Sequence, residues 1–183
     1  AYNGKAYVGI WGYLYGIGDF IQVKLLYSLI KDQKYYVEFF ISPAERSDNN
    51  TSSIGVYFTE KSESNKEQRG GIKFVQIYNP YIENPDSNIL SDANKWYKIS
   101  GIFTAKGNEQ YLLIGNSKKS GMAILKKNEE KKDKRKKKYP IADPDFYYYI
   151  DCVSLWPIDS LGNKINIYNS TELVSFDSLQ SGE

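Results

Sequence analysis

The chain of 183 residues has no histidine, one cysteine and one methionine. Without histidine, the side chain that most often moves protons near neutral pH is missing. Ser-His-Asp and Cys-His sites therefore cannot form. Cys152 can form no internal disulfide and belongs to no Cys/His zinc set. A lone thiol in a strand reads as a small buried hydrophobe, and it leaves the compartment open. No stretch approaches the roughly 20 apolar residues that span a bilayer. No basic-then-apolar leader with a small-residue cleavage site opens the chain. Ala1 leads directly into a strand-like pattern, which reads as a fragment whose first strand and any leader lie upstream. Helix signals are scarce. Ser120 to Lys138 holds helix formers but no apolar stripe. Gly12-x-x-x-Gly16-x-Gly18 fits neither a P-loop nor a dinucleotide fingerprint.

What the chain does have is tyrosine: 17 Tyr, with 8 Phe and 3 Trp. Many sit in runs of strand period, such as Tyr35 to Ile41 and Phe146 to Asp151. Aromatic and β-branched residues suit a pleated, half-buried surface. Strand patterns follow one another quickly between Gly, Asn, Asp, Ser and Pro clusters, which predicts an antiparallel sandwich or barrel. In Lys5 to Trp11, Ala6, Val8 and Ile10 share one face and Tyr7, Gly9 and Trp11 the other. Gly12 to Gly18 reads as a loop. Phe20 to Leu29 starts as a strand with Ile21, Val23 and Leu25 inward. Tyr35 to Ser42 puts Tyr35, Val37, Phe39 and Ile41 in the core and Tyr36, Glu38, Phe40 and Ser42 opposite. Ile54 to Thr59 is the next strand, and Ile72 to Tyr78 a shorter one. Lys95 to Lys106 and Gln110 to Asn116 read as an antiparallel pair joined at Lys106-Gly107-Asn108.

Charge is uneven. Lys126 to Lys138 holds nine Lys/Arg against three Asp/Glu, a balance of +6, which leaves 15 basic and 19 acidic residues elsewhere, a balance of −4. The basic run has no interleaved aromatics, so base stacking and nucleic-acid binding are not expected. It reads as a solvated hairpin insertion. Any ligand it takes should be a salt-sensitive polyanion.

In order, Gly4-Lys5-Ala6-Tyr7-Val8-Gly9-Ile10, Tyr35-Tyr36-Val37-Glu38-Phe39-Phe40-Ile41-Ser42, Ile54-Gly55-Val56-Tyr57-Phe58, Trp96-Tyr97-Lys98-Ile99-Ser100-Gly101-Ile102-Phe103, Glu109-Gln110-Tyr111-Leu112-Leu113-Ile114-Gly115-Asn116 and Tyr148-Tyr149-Ile150-Asp151-Cys152-Val153-Ser154-Leu155 resemble a bacterial cell-surface jelly roll. The set is similar to the galactose-binding-like sandwiches of carbohydrate-binding modules. It looks closest to those joined to outer-membrane-protein-A-like, peptidoglycan-binding domains or to surface-secretion signals. The resemblance covers roughly Gly4 to Trp156. It implies an all-β, antiparallel β-sandwich of jelly-roll type over residues 1–158, its N-terminal strand lying upstream, and an exit segment or linker over 159–183. It implies an extracytoplasmic address: the cell surface, the outer membrane or the periplasm. The chain departs from the family twice. Asp151-Cys152 stands where Asp-Asp is usual, and an opening Asn-Pro-Ser-Phe-Glu-like string is missing. In related modules the first of those Asp residues helps hold a structural calcium. Asp151 matches that position, but six to eight oxygens are needed and the opening segment that supplies others departs here.

Flat sugar faces pack on aromatic rings, and hydroxyls bond to polar tips. Trp11, Tyr13 and Tyr15, in or beside the Gly-rich loop, and Tyr36 and Tyr57 with Phe40, on a shared non-core face, are the ligand-binding candidates, with Glu38 among them. The plainer reading is that these rings only cover the sheet. Trp96, at a strand start, suits a core or corner ring. The 22 Asp/Glu permit a carboxylate pair, but no Glu-x-Asp-x-x-Glu string of the jelly-roll glucanases occurs and no catalytic residues are assigned. The expected function is non-catalytic recognition of a glycan or cell-wall polysaccharide. The rival is a structural module that docks an envelope protein in an adhesion or secretion assembly, using the same rings as anchors.

Overall fold

The computed structural model describes residues 1–13, 19–45, 47, 49–63, 78–118, 122, 124–127 and 145–167, with the side chains of Tyr13 and Asp145 excepted. The described residues form ten strands and no helix. These are β1 (Val8–Tyr13), β2 (Phe20–Lys24), β3 (Lys34–Pro43), β4 (Asn49–Thr51), β5 (Ile54–Thr59), β6 (Ile82–Glu83), β7 (Tyr97–Thr104), β8 (Tyr111–Asn116), β9 (Leu125–Lys127) and β10 (Asp145–Pro157). Sheet 1 runs β1-β10-β3-β7 and sheet 2 runs β2-β8-β5-β6, with β4 and β9 as a separate ribbon. All ladders are antiparallel. The pairs nest: β5 with β6, β3 with β7, β2 with β8, β1 with β10. The β4–β9 ribbon stands outside this nesting, since β4 precedes β7 and β9 follows β8.

Period-two alternation fixes which face is inside. Tyr35, Val37, Phe39 and Ile41 are fully enclosed, and Ile21, Val23 and Leu25 are buried, as the sequence predicts. Ile10, Ile99, Phe103, Phe146, Ile150, Val153 and Leu155 from sheet 1 meet Ile54, Val56, Phe58, Leu112 and Ile114 from sheet 2 in one core. Each such side chain contributes about 1.5–3 kcal/mol by leaving water. Tyr148 joins them because its hydroxyl is satisfied, accepting from Thr51 N at 2.8 Å and donating to Leu90 O at 2.8 Å.

The expected β7–β8 hairpin is corrected. Among the described residues β7 pairs with β3 alone and edges sheet 1, whereas β8 lies centrally in sheet 2. The turn between them arches from one layer to the other. Gly107 (φ 91°) and Asn108 (φ 72°) take the left-handed region there. Gly107 is also pressed against Lys31, so a Cβ would meet the Lys31 Cβ at 2.9 Å. The apolar faces of β7 and β8 consequently oppose each other across the core. Glycine-rich Gly12, expected in a loop, continues β1 to Tyr13. The possible strand at Ile72 to Tyr78 and most of the lysine run lie outside the described residues, apart from Tyr78 and from Lys126 and Lys127 in β9.

β10 carries a bulge where Asp151 pairs with Phe40 and Ser154 with Glu38. Cys152 supplies the extra residue at φ 52°. Beyond β10, the chain folds back. Asp159 accepts from the backbone of Leu161 and Asn163 and from the Asn163 amide, and Ile165 N bonds to Pro157 O at 3.0 Å. Those bonds pull the Asp159 carboxyl below its usual range, the Asn163 side chain foremost.

Candidate functional site

The outer faces of the two sheets are finished differently. On sheet 2, Tyr57 and Leu113 are enclosed among Phe20, Tyr78 and Tyr111. Gln22 bonds to Ser62 Oγ and Glu63 N at 2.9 and 2.7 Å, and Tyr78 donates to Glu63 Oε1 at 2.7 Å. The Glu63 bond, then burial, push the Tyr78 hydroxyl up to about 12. The chain beyond β5 therefore closes over its own sheet.

Sheet 1 is closed only in part. Its outward residues alternate along each strand: Tyr7, Gly9 and Trp11 on β1 and just before it, Tyr147 and Tyr149 on β10, and Tyr36, Glu38 and Phe40 on β3. Tyr7, Trp11 and Tyr147 keep 49%, 40% and 39% of their surface in solvent. Tyr147 meets Tyr149 edge-on at 5.6 Å and 75°. Tyr149 meets Tyr7 at 4.7 Å and 62°, and Tyr7 meets Trp96 at 6.3 Å and 63°. These separations lie in the favourable range for ring pairs. A cleft of about 550 Å³ opens beside them, lined by Ala44, Glu45, Tyr147 and Tyr149. Burial and then the Glu45 carboxylate raise the Tyr149 hydroxyl above its usual value. The cleft thus offers two rings inclined at 75°, two phenol tips and one carboxylate able to accept from hydroxyl donors.

The sequence-predicted residues divide. Trp11 sits where expected, exposed on the outer face of β1. Tyr13 ends β1 opposite Asp145, but its side chain lies outside the description, as does all of Tyr15. Tyr36 and Glu38 share the outer face of sheet 1 but are already engaged. The Tyr36 hydroxyl donates to Glu38 Oε2 at 3.0 Å, Lys98 Nζ lies 3.6 Å from the same oxygen, and the Tyr36 ring packs on Trp156 at 4.9 Å. Lys164 lies over the Trp156 ring at 5.1 Å. Tyr57 is corrected: β5 belongs to the other sheet, and Tyr57 is only 1% exposed, with its hydroxyl donating to Asn116 O at 2.9 Å. It cannot touch a ligand of the Trp11 surface. Trp96, expected in the core or a corner, is half-buried on the ring surface itself.

Tyr147, Tyr149, Tyr7 and Glu45 were not among the candidates. The alternation of Phe146 to Ile150 carries the signal for the two β10 rings, since Tyr148 must then face the core. Nothing local in the sequence marks Glu45.

The Asp151 carboxylate does not fit a calcium site. Its Oδ2 accepts from Tyr2 N at 2.7 Å and Asn3 N at 3.1 Å, and its Oδ1 from Cys152 N at 2.7 Å. N–H donors turned toward these oxygens take the positions a cation would need. No group of three or more His, Cys, Asp or Glu that could hold a metal occurs among the described residues.

Comparison with protein families, with curated proteins and with solved structures finds no match to this chain.

Proposed function

We propose that this protein is a non-catalytic glycan-recognition module of jelly-roll type, working outside the cytoplasm at a bacterial surface. The observation that carries the reading is the exposed ring surface of Trp11, Tyr147 and Tyr7 beside a cleft of about 550 Å³, on one sheet of a sandwich whose other sheet closes over its rings. Exposed aromatic clusters of this kind mark contact surfaces. Rings with phenol tips and a carboxylate match the apolar face and hydroxyl rim of a sugar. Nested pairing of β1 with β10, β2 with β8, β3 with β7 and β5 with β6, divided between two sheets, supports the jelly roll, which is a pair of wrapped Greek keys. The bacterial address rests on the sequence resemblance.

The test is tryptophan fluorescence during titration with a broad panel of soluble polysaccharides. At least one should shift the emission saturably, and Trp11→Ala should reduce that shift, leaving the part that Trp96 reports from the same surface. Silence across the panel overturns the reading.

The rival, a module that docks an envelope protein, is favoured by a different feature. Leu26, Tyr27 and Ile30 expose 50%, 39% and 46% of their surface in the connection between β2 and β3. A Leu26→Ser, Ile30→Ser variant that loses a stoichiometric envelope partner while the panel stays silent supports it.

A further inference from the structure

We propose that Tyr2 is a ligand-contacting ring, that Asp151 is the residue that positions it, and that the site takes an extended oligosaccharide. The inference rests on the glycan reading above. Tyr2 lies flat on Phe40, with ring centroids 3.8 Å apart and planes 12° from parallel. One face of Tyr2 is therefore backed by sheet 1, while 49% of the residue remains in solvent. A ring pinned from behind with its front open costs little side-chain freedom on binding.

The pinning has a cause. Tyr2 precedes β1, and its backbone would wander without a partner. Asp151 accepts from the N–H of both Tyr2 and Asn3. Asp151 is itself only 5% exposed, and its second oxygen is fixed by Cys152 N. It reaches no ligand and acts through the ring it holds.

Placement then sets the ligand. Trp96 stands edge-on to Tyr2 at 6.2 Å and to Tyr7 at 6.3 Å. Tyr7 continues through Tyr149 to Tyr147 in steps of 4.7 and 5.6 Å. Rings therefore follow one another from Tyr147 at one end to Tyr2 at the other. A single sugar covers about one ring face. Only a chain of several sugars, lying along its length on an open surface, can touch both ends.

Calorimetric titration with cello- and chito-oligosaccharides of two to six units tests this. In at least one series the affinity should climb with length. Tyr2→Ala should weaken the hexasaccharide about tenfold, the worth of one stacked ring, and leave the disaccharide unchanged. Tyr2→Phe should restore the hexasaccharide. Asp151→Asn should reproduce the length-selective loss, which a general loss of stability would not. Equal loss at every length in Tyr2→Ala, or none at any, overturns the proposal. So does failure of both series to bind the unaltered protein, whereas the broader reading stands or falls on its own panel.

Discussion

The Tyr147 ring lies across Gly9, so that a Cβ built on the glycine would fall on the phenol end of the ring. In the β1–β10 ladder Gly9 faces Tyr149, and Tyr147 faces Trp11. The Tyr147 ring therefore leans diagonally onto bare backbone, and the missing side chain is what lets it lie down beside the cleft.

Gly9→Ala should lift that ring without unfolding the sandwich, because the atoms that must move are the free end of a side chain. A stability change within about 1 kcal/mol is expected; on the glycan reading proposed above, affinity for a polysaccharide that the panel identifies should fall as far as in Tyr147→Ala. Thermal melts and fluorescence titrations on both variants check it. Undiminished affinity in Gly9→Ala would show that Tyr147 makes no contact.

Cys152→Gly should stabilise the protein. Cys152 holds φ 52° in the β10 bulge, a conformation that costs a residue with a Cβ about 1–2 kcal/mol. Glycine adopts it freely and keeps the N–H bonded to Asp151. A rise in melting temperature of about 2–4 °C per kcal/mol is expected. A fall would mean that packing of the half-buried thiol outweighs backbone relief. Burial first, and the Asp151 carboxylate second, raise the Cys152 thiol above its usual value, so alkylation at pH 8 should lag behind that of the unfolded chain.

Glu109 is an anchor for the arch between β7 and β8. It is 3% exposed, and its Oε1 accepts from Lys106 N at 2.7 Å and from the Tyr81 hydroxyl at 3.0 Å, while Oε2 has no hydrogen-bond partner among the described residues. Glu109→Ala should cost about 2 kcal/mol by stranding both donors. Glu109→Gln, which keeps an acceptor, should cost less. Urea unfolding separates the two, and equal losses would refute the anchoring role.

Alkali should unfold the protein through its tyrosines. Burial raises Tyr57, Tyr81 and Tyr148, and the Glu63 bond raises Tyr78 to about 12. Folding thus favours their neutral form over an unfolded value near 10. Their contribution is complete below about pH 10 and disappears as the pH climbs through the higher folded values. Stability should stay level with respect to these groups from neutrality to about pH 10 and then decline. Ultraviolet titration should show a subset of the 17 tyrosines ionising only as the circular-dichroism signal collapses. A single ionisation step with the sandwich intact would contradict this.

Alternation made much of the layer structure legible. Tyr35, Val37, Phe39 and Ile41 go inward because their strand has period two, and that information is local. Alternation gives each side chain a side, not each strand a neighbour. Tyr36 and Tyr57 both point away from the core, yet they lie on opposite outer faces, because β3 and β5 pair with strands far along the chain. The same nonlocal pairing separates β7 from β8. Whether an outward ring stays exposed depends on what crosses it. Ser62, Glu63 and Tyr78 cover sheet 2, and Tyr2 covers Phe40. Asp151 is a metal candidate through the family resemblance, and the partners that occupy it instead, Tyr2 and Asn3, lie nearly the whole domain away in sequence.

The antiparallel β1–β10 ladder has a mechanical consequence. Val8 begins β1 opposite Ile150, while β10 runs onward to Pro157, so the chain reaches β1 and departs from β10 at the same end of the sheet. A pull on the flanking chain is borne by one rung at a time. It would part Tyr2 and Asn3 from Asp151 first and then peel β1 away from Val8 toward Tyr13. Force applied at the N-terminal side of β1 would thus free Tyr2 and Tyr7 before Trp11, so the ring surface of sheet 1 would come apart from its Tyr2 end.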